Sequence, residues 1–113
     1  KDKWGRIIHI SSVGGEDGAI GTLAYSTSKT GLNGLSRVLA KEYGRFGITS
    51  NVLVPGWLNT GLLHYLSEKD KVEALNRIPS RQFGDPINLF HAIEFLIKSE
   101  YVNGASINID GGY

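Results

Sequence analysis

The chain has 113 residues, 41% of them hydrophobic and 20% charged, with a formal net charge of +1. These values suit one modest folded core and exclude a polar disordered chain. The near-neutral charge makes no electrostatic case for nucleic acid or a membrane surface, and the lack of cysteine removes disulfides, thiolate nucleophiles and Cys-ligated zinc.

No apolar run approaches the roughly 20 residues of a membrane span, and Lys1-Asp2-Lys3 is not followed by the long apolar stretch of a secretory signal. The expected compartment is the cytoplasm. In chain order, Arg6-Ile7-Ile8-His9-Ile10-Ser11-Ser12 reads as a buried strand ending in hydroxyls. Val13 to Ala24 reads as a Gly-rich loop. A long helix is predicted from about Thr22 to Tyr43, with Leu32, Leu35, Val38 and Leu39 at helical spacing and Gly44 and Gly47 as stops. Small residues Ser28, Gly31 and Gly34 would let that helix pack closely on a neighbour.

Ile48 to Val54 is the next strand, ended by Pro55-Gly56. The stretch from Leu58 to about Arg81 is less regular, with a capping box at Ser67-Glu68-Lys69-Asp70 that starts a short helix. Asp85-Pro86 is a strong helix start, and Leu89, Ala92, Ile93, Leu96 and Ile97 mark the buried face of the helix it opens. Asn103-Gly104 turns into a last strand on which Ala105, Ile107 and Ile109 point one way. Alternating strands and helices imply an α/β fold, a parallel sheet with right-handed crossovers.

The chemistry lies in Tyr25 and Lys29, four residues apart, with Ser12 thirteen residues upstream. On a helix, positions i and i+4 share a face. An ammonium beside a phenol favours the phenolate. A phenol so placed can give a proton to a carbonyl oxygen or take one from an alcohol, and Ser12 can hydrogen-bond the same oxygen. Tyr-x-x-x-Lys is common on solvated helices, and Ser11 or Ser12 alone would read as a loop cap. The surroundings decide: open α/β sheets hold their ligands at the carboxyl ends of the strands, where Ser12 falls.

His9, His64 and His91 lack zinc spacing, so no metal is expected. Asp110-Gly111-Gly112 has too few ligand positions for a calcium loop. Gly14-Gly15-Glu16-Asp17-Gly18 follows a strand, but its carboxylates would repel a phosphate.

Four segments in order resemble the short-chain dehydrogenase/reductase family, over nearly the whole chain. They are the strand Gly5 to Ser12, Tyr25-Ser26-Thr27-Ser28-Lys29, the run Asn51 to Thr60 with Pro55-Gly56 inside it, and Asn103-Gly104 with Ile109-Asp110-Gly111-Gly112. The group containing the 3-oxoacyl-carrier-protein reductases is the nearest in flavour. The resemblance implies catalytic Ser12, Tyr25 and Lys29, and an NAD or NADP site touching Tyr25, Lys29, Pro55, Gly56, Leu58 and Thr60. Trp57, Leu62, Leu63 and Tyr65, with Val13, are ordinary packing or the lining of an apolar substrate pocket. The implied substrate is a small or acyl-linked ketone or secondary alcohol. The family's pattern also implies a homodimer or homotetramer formed through the long helix and the last strand.

The sequence departs from that pattern in one respect. No Gly-x-x-x-Gly-x-Gly precedes Ser12. Residues 1–113 are therefore expected to be a single catalytic half, the C-terminal half of a doubly wound, Rossmann-type domain, with the N-terminal half absent. Two other readings stay open at this level: a non-catalytic interaction module or inactive remnant, and an isomerase or dehydratase on the same scaffold.

Overall fold

The computed structural model describes residues 3–113. Three parallel strands, β1 (Gly5–Ile10), β2 (Ile48–Pro55) and β3 (Ser106–Ile109), form a sheet in the order β1-β2-β3. Gly5 pairs with Ile48 and Ile10 with Leu53, while Val52 pairs with Ser106 and Pro55 with Ile109. Between them lie helices α1 (Val13–Asp17), α2 (Leu23–Tyr43), α3 (Glu68–Arg77) and α4 (Ile87–Lys98), with 3₁₀ turns at Gly44–Phe46 and Gly61–Tyr65.

Strand β2 is the spine of the molecule. Every residue from Thr49 to Val54 is buried, so both faces of the strand are covered. On one face Ser36 of α2 shares a 3.0 Å hydrogen bond with Ser50, and His9 Nε2 lies 3.2 Å from the same hydroxyl. On the other face Arg6, the register partner of Thr49, donates from Nε to the carbonyl of Ile97 in α4 at 3.0 Å. Leu53, Leu96 and Ile78 are fully buried, each contributing about 1.5–3 kcal/mol.

Helices α2 and α4 thus lie on opposite faces while the strands advance in one direction. The two crossovers must then have opposite hands, which corrects the expectation that both are right-handed. The second connection, from Gly56 to Ala105, carries two extra helical segments. That length lets the chain pass to the far face before α4 begins.

Two asparagines set β3 in place. Asn51 donates through Nδ2 to the carbonyl of Val102 at 2.9 Å and accepts from the amide of Ala105 at 2.9 Å. Asn103 accepts from the amide of Ser50 at 2.8 Å and donates to the carbonyl of Ala40 at 3.3 Å. Side chains here complete the backbone bonding that a longer strand would make for itself.

The helix starts follow their local chemistry. Ser67 accepts from the amide of Asp70 at 3.1 Å and donates to its carboxylate at 2.7 Å. Asp85 accepts from the amide of Ile87 at 2.9 Å. Ile97, expected on the buried face of α4, is 43% exposed, and Leu35 and Val38 of α2 are 48% and 52% exposed. Helix α2 turns Ser26, Lys29, Leu32, Asn33, Leu39 and Ala40 partly inward and buries Ser36, so Leu32 and Leu39 lie on the inner face as expected while small and polar residues share it. The Cα radius of gyration is 15.7 Å, against about 13 Å for a compact domain of this length.

Candidate active site

The loop expected from Val13 to Ala24 begins as a helix. Ser12 has the extended backbone of an N-cap (φ −164°, ψ 144°), and its Oγ accepts from the amide of Gly14 at 3.1 Å. Val13 anchors α1 in the core against Val52 and Val54. Gly18, with φ 69°, ends it in the left-handed conformation that glycine favours.

Helix α1 leans directly on α2. A Cβ on Gly15 would stand 2.7 Å from Lys29 Cβ, so only glycine allows this approach. Thr30 Oγ1 donates to the carbonyl of Gly15 at 3.2 Å, and Ser11 Oγ donates to the carbonyl of Lys29 at 3.1 Å. The end of β1, helix α1 and the first turns of α2 are thereby tied to one another.

Ser12, Tyr25 and Lys29 meet at this junction. A Cβ on Gly14 would touch Ser12 Oγ at 3.4 Å and Tyr25 Cε1 at 3.6 Å. The serine hydroxyl and the edge of the phenol ring therefore flank one point. Tyr25 is 46% exposed, and its phenol bonds neither Ser12 nor Lys29. Lys29 lies one turn further along α2 and donates from Nζ to the carbonyl of Ile10 at 3.0 Å. The ammonium expected beside the phenol is thus held at the end of β1.

The other predicted site residues lie at the end of β2 and beyond it. Pro55 closes the strand, and a Cβ on Gly56 would stand 2.9 Å from Asp110 Cα, so glycine lets β2 and the tail of β3 converge. Leu58 forms a parallel bridge with Gly84. Thr60 precedes the 3₁₀ turn at Gly61–Tyr65, is exposed, and makes no capping bond with its side chain.

The five apolar residues assigned to packing or a pocket are not gathered into one cavity. Val13 and Leu63 are buried at 9% and 7% exposure, while Leu62 and Tyr65 are 64% and 88% exposed. Trp57 stacks obliquely on Phe83, with ring centroids 6.4 Å apart, and with Leu58 and Asn88 lines a cavity of about 400 Å³. A smaller cavity of about 150 Å³ is lined by Val13, Glu16 and Tyr113. Ser12, Tyr25 and Lys29 line neither. At their junction Tyr25 is 46% exposed, while Ser12 and Lys29 are half-buried.

A three-residue cluster escaped the sequence reading. Asp17 Oδ2 accepts from Tyr113 OH at 2.9 Å and from Arg77 Nη2 at 3.1 Å, and the Arg77 guanidinium lies 5.3 Å from the Tyr113 ring centroid. Loss of solvent, then the hydrogen bond to Asp17, pushes the Tyr113 phenol above its usual pKa. The three residues are 96 positions apart at the extremes, so no local pattern announces them.

A family profile described as enoyl-(acyl carrier protein) reductase matches residues 1–113. The chain belongs to the short-chain dehydrogenase/reductase family. Among its relatives, the 3-oxoacyl-(acyl-carrier-protein) reductase FabG of Aquifex aeolicus strain VF5 is 38% identical over 99% of this chain and 46% of its own length. The (3R)-3-hydroxyacyl-CoA dehydrogenase of Rattus norvegicus is 38% identical over 96% of this chain and 42% of its own.

A solved structure described as a short-chain alcohol dehydrogenase from Sinorhizobium meliloti 1021 superposes with a TM-score of 0.90 at 31% identity, over 98% of this chain and 46% of that one. The chain therefore spans under half the length of these short-chain dehydrogenase/reductase relatives and matches about half of a Rossmann-type fold. Among the described residues, no helix is long and apolar enough to cross a membrane.

Proposed function

We propose that residues 1–113 carry the reacting half of an NAD(P)-dependent oxidoreductase acting on a 3-oxoacyl thioester or the matching secondary alcohol. The carrying observation is the junction at Gly14, where Ser12 Oγ and the Tyr25 ring edge flank one point, 3.4 Å and 3.6 Å from a Cβ built there. A carbonyl oxygen brought to that junction would approach both side chains.

Ser12 is suited to hold that oxygen. Its lone pair already accepts from Gly14, so its own O–H is available to donate. Tyr25 gives the proton in reduction and takes it back in oxidation. The carbonyl carbon gains a hydride, its oxygen gains the Tyr25 proton, and the ketone becomes a secondary alcohol.

Lys29 and the residues from Pro55 to Thr60 suit a nicotinamide nucleotide. The Thr60 hydroxyl is exposed and uncommitted, free to bond a carboxamide. Lys29 spends one of its three donors on Ile10, leaving two for ribose hydroxyls. Pro55, Gly56 and Leu58 supply a wall of backbone and aliphatic carbon. A bound nicotinamide cofactor would supply the hydride as NADH or NADPH in reduction and take it up as NAD or NADP in oxidation. Trp57, Leu62 and Tyr65 provide apolar surface for an acyl chain, with Val13 and Leu63 packed beneath.

The FabG and hydroxyacyl-CoA dehydrogenase relatives support an acyl thioester as substrate, through acyl carrier protein or coenzyme A. Exposed Leu23, Leu35 and Val38 on α2 support a homodimer or homotetramer, which light scattering on the complete gene product would measure. The functional test follows NADH or NADPH oxidation by that product with acetoacetyl-CoA. Turnover is expected, and Tyr25→Phe should lower kcat by at least 100-fold while leaving cofactor affinity intact. A Tyr25→Phe protein within a fewfold of wild type would overturn the assignment.

A further inference from the structure

Asp17 is the last residue of α1, and its local sequence gives no reason for a carboxylate there. A negative charge at a helix C-terminus opposes the helix dipole, and no basic residue stands in the last turn of α1 to offset it. Five residues with two glycines among them also make a helix that does not hold by itself. What Asp17 does have is two long-range partners.

Both partners are anchored in the core. Tyr113 packs against the cluster of Val13, Val52 and Val54, and its hydroxyl donates to Asp17 Oδ2 at 2.9 Å. Arg77 ends α3 beside the buried Ile78 and donates from Nη2 to the same oxygen at 3.1 Å. The chain past Asp17 gives no such support, because residues 18–21 are exposed or half-free of contacts. At its other end α1 starts from Ser12, whose Oγ is oriented by the amide of Gly14 at 3.1 Å. That bond exists only while the first turn of α1 is formed.

We propose that Asp17 is a positioning residue for the reaction, fixing the last turn of α1 so that the Ser12 hydroxyl keeps its direction. Asp17 does not touch the reacting atoms and acts through Ser12. This inference rests on the oxidoreductase reading and adds a residue to that same site. A single well-aimed donor to a developing oxyanion is worth about 100-fold or more in rate, and a displacement of about 1 Å can forfeit much of it.

The test measures acetoacetyl-CoA reduction by the complete gene product as wild type, Asp17→Ala, Ser12→Ala and the double variant. Asp17→Ala should lower kcat about tenfold, with KM for substrate and nucleotide within about threefold. Ser12→Ala should lower kcat about 100-fold. In that background Asp17→Ala should lower it by no more than about twofold, because the hydroxyl it directs is gone. Ion pairs as exposed as Arg77–Asp17 add little to global stability, so Asp17→Ala should fold and melt close to wild type. Arg77→Met, which keeps the Tyr113 bond, serves if it does not, with a smaller loss that depends on Ser12 in the same way.

An undiminished kcat, a loss carried by KM alone, or a tenfold loss that persists in the Ser12→Ala background would overturn the role of Asp17 and leave the oxidoreductase reading standing. A Ser12→Ala protein as active as wild type, or a gene product inert with either nucleotide, would overturn both.

Discussion

Gly15 sits so close to Lys29 that a Cβ on the glycine would stand 2.7 Å from the lysine Cβ. The obstructing atom is next to the α2 backbone and cannot swing away. Gly15→Ala should therefore push α1 off α2 and move Ser12 with it. The expected outcome is about 1–3 kcal/mol of destabilisation, read as a lower urea midpoint, together with a loss of turnover. An unchanged midpoint would mean that α1 shifts freely.

Lys29 holds the carbonyl of Ile10 in this structure and is the proposed partner of the cofactor ribose. Lys29→Met removes both interactions and keeps the aliphatic stem. Nicotinamide fluorescence titration of the complete gene product should show cofactor binding weaker by tenfold or more, about 1.4 kcal/mol, together with a fall in kcat. Unaltered affinity would remove Lys29 from the cofactor site.

Asn51 is fully buried and bonds the backbone of both Val102 and Ala105. Asn51→Ala leaves a buried amide and a buried carbonyl without partners, at about 1–3 kcal/mol each. Denaturant unfolding should show a loss near the upper part of that range, and hydrogen exchange should show the early opening of β3. A variant as stable as wild type would contradict this.

Tyr113 makes the chain's stability sensitive to alkali. Its folded pKa is raised, first by loss of solvent and then by the bond to Asp17. For a raised group the stabilising contribution is complete below the unfolded pKa and fades as pH climbs through the folded one. The advantage of wild type over Tyr113→Phe should be constant through neutral pH and begin to fade only above about pH 10, where the unfolded phenol ionises. Urea midpoints of the two proteins at pH 8 and above pH 10 provide the check, and an advantage that does not shrink at the higher pH would exclude the Tyr113 hydroxyl as its source.

Local signals carried much of this fold. Asp85-Pro86 and Ser67 announced α4 and α3 because capping is a contact over two or three residues. The period of α2 and its stop at Gly44 were equally plain. Helix α1 was not, because Gly14-Gly15 reads as a loop until Lys29 is known to lie against it. The inward face of α2 was also partly hidden. Helical spacing picked out Leu35 and Val38, whereas the sheet accepts Ser36 through Ser50. The hand of the second crossover depends on where α4 docks, which no local pattern encodes. For the site, the spacing of Ser12, Tyr25 and Lys29 was legible, but the hold of Ile10 on the lysine and the Asp17, Arg77 and Tyr113 cluster needed the folded chain.

The ties among β1, α1 and α2 bear on how the site fails. Ser11 to Lys29, Thr30 to Gly15, Lys29 to Ile10 and the Gly15 contact all cross the same small junction. Ser12, Tyr25 and Lys29 consequently belong to one cooperative unit of local unfolding. A fluctuation that releases any one of these ties loosens its neighbours, so the three residues lose their geometry together. Damage by heat or denaturant should then appear as a fraction of molecules wholly inactive, with the remainder working at full rate.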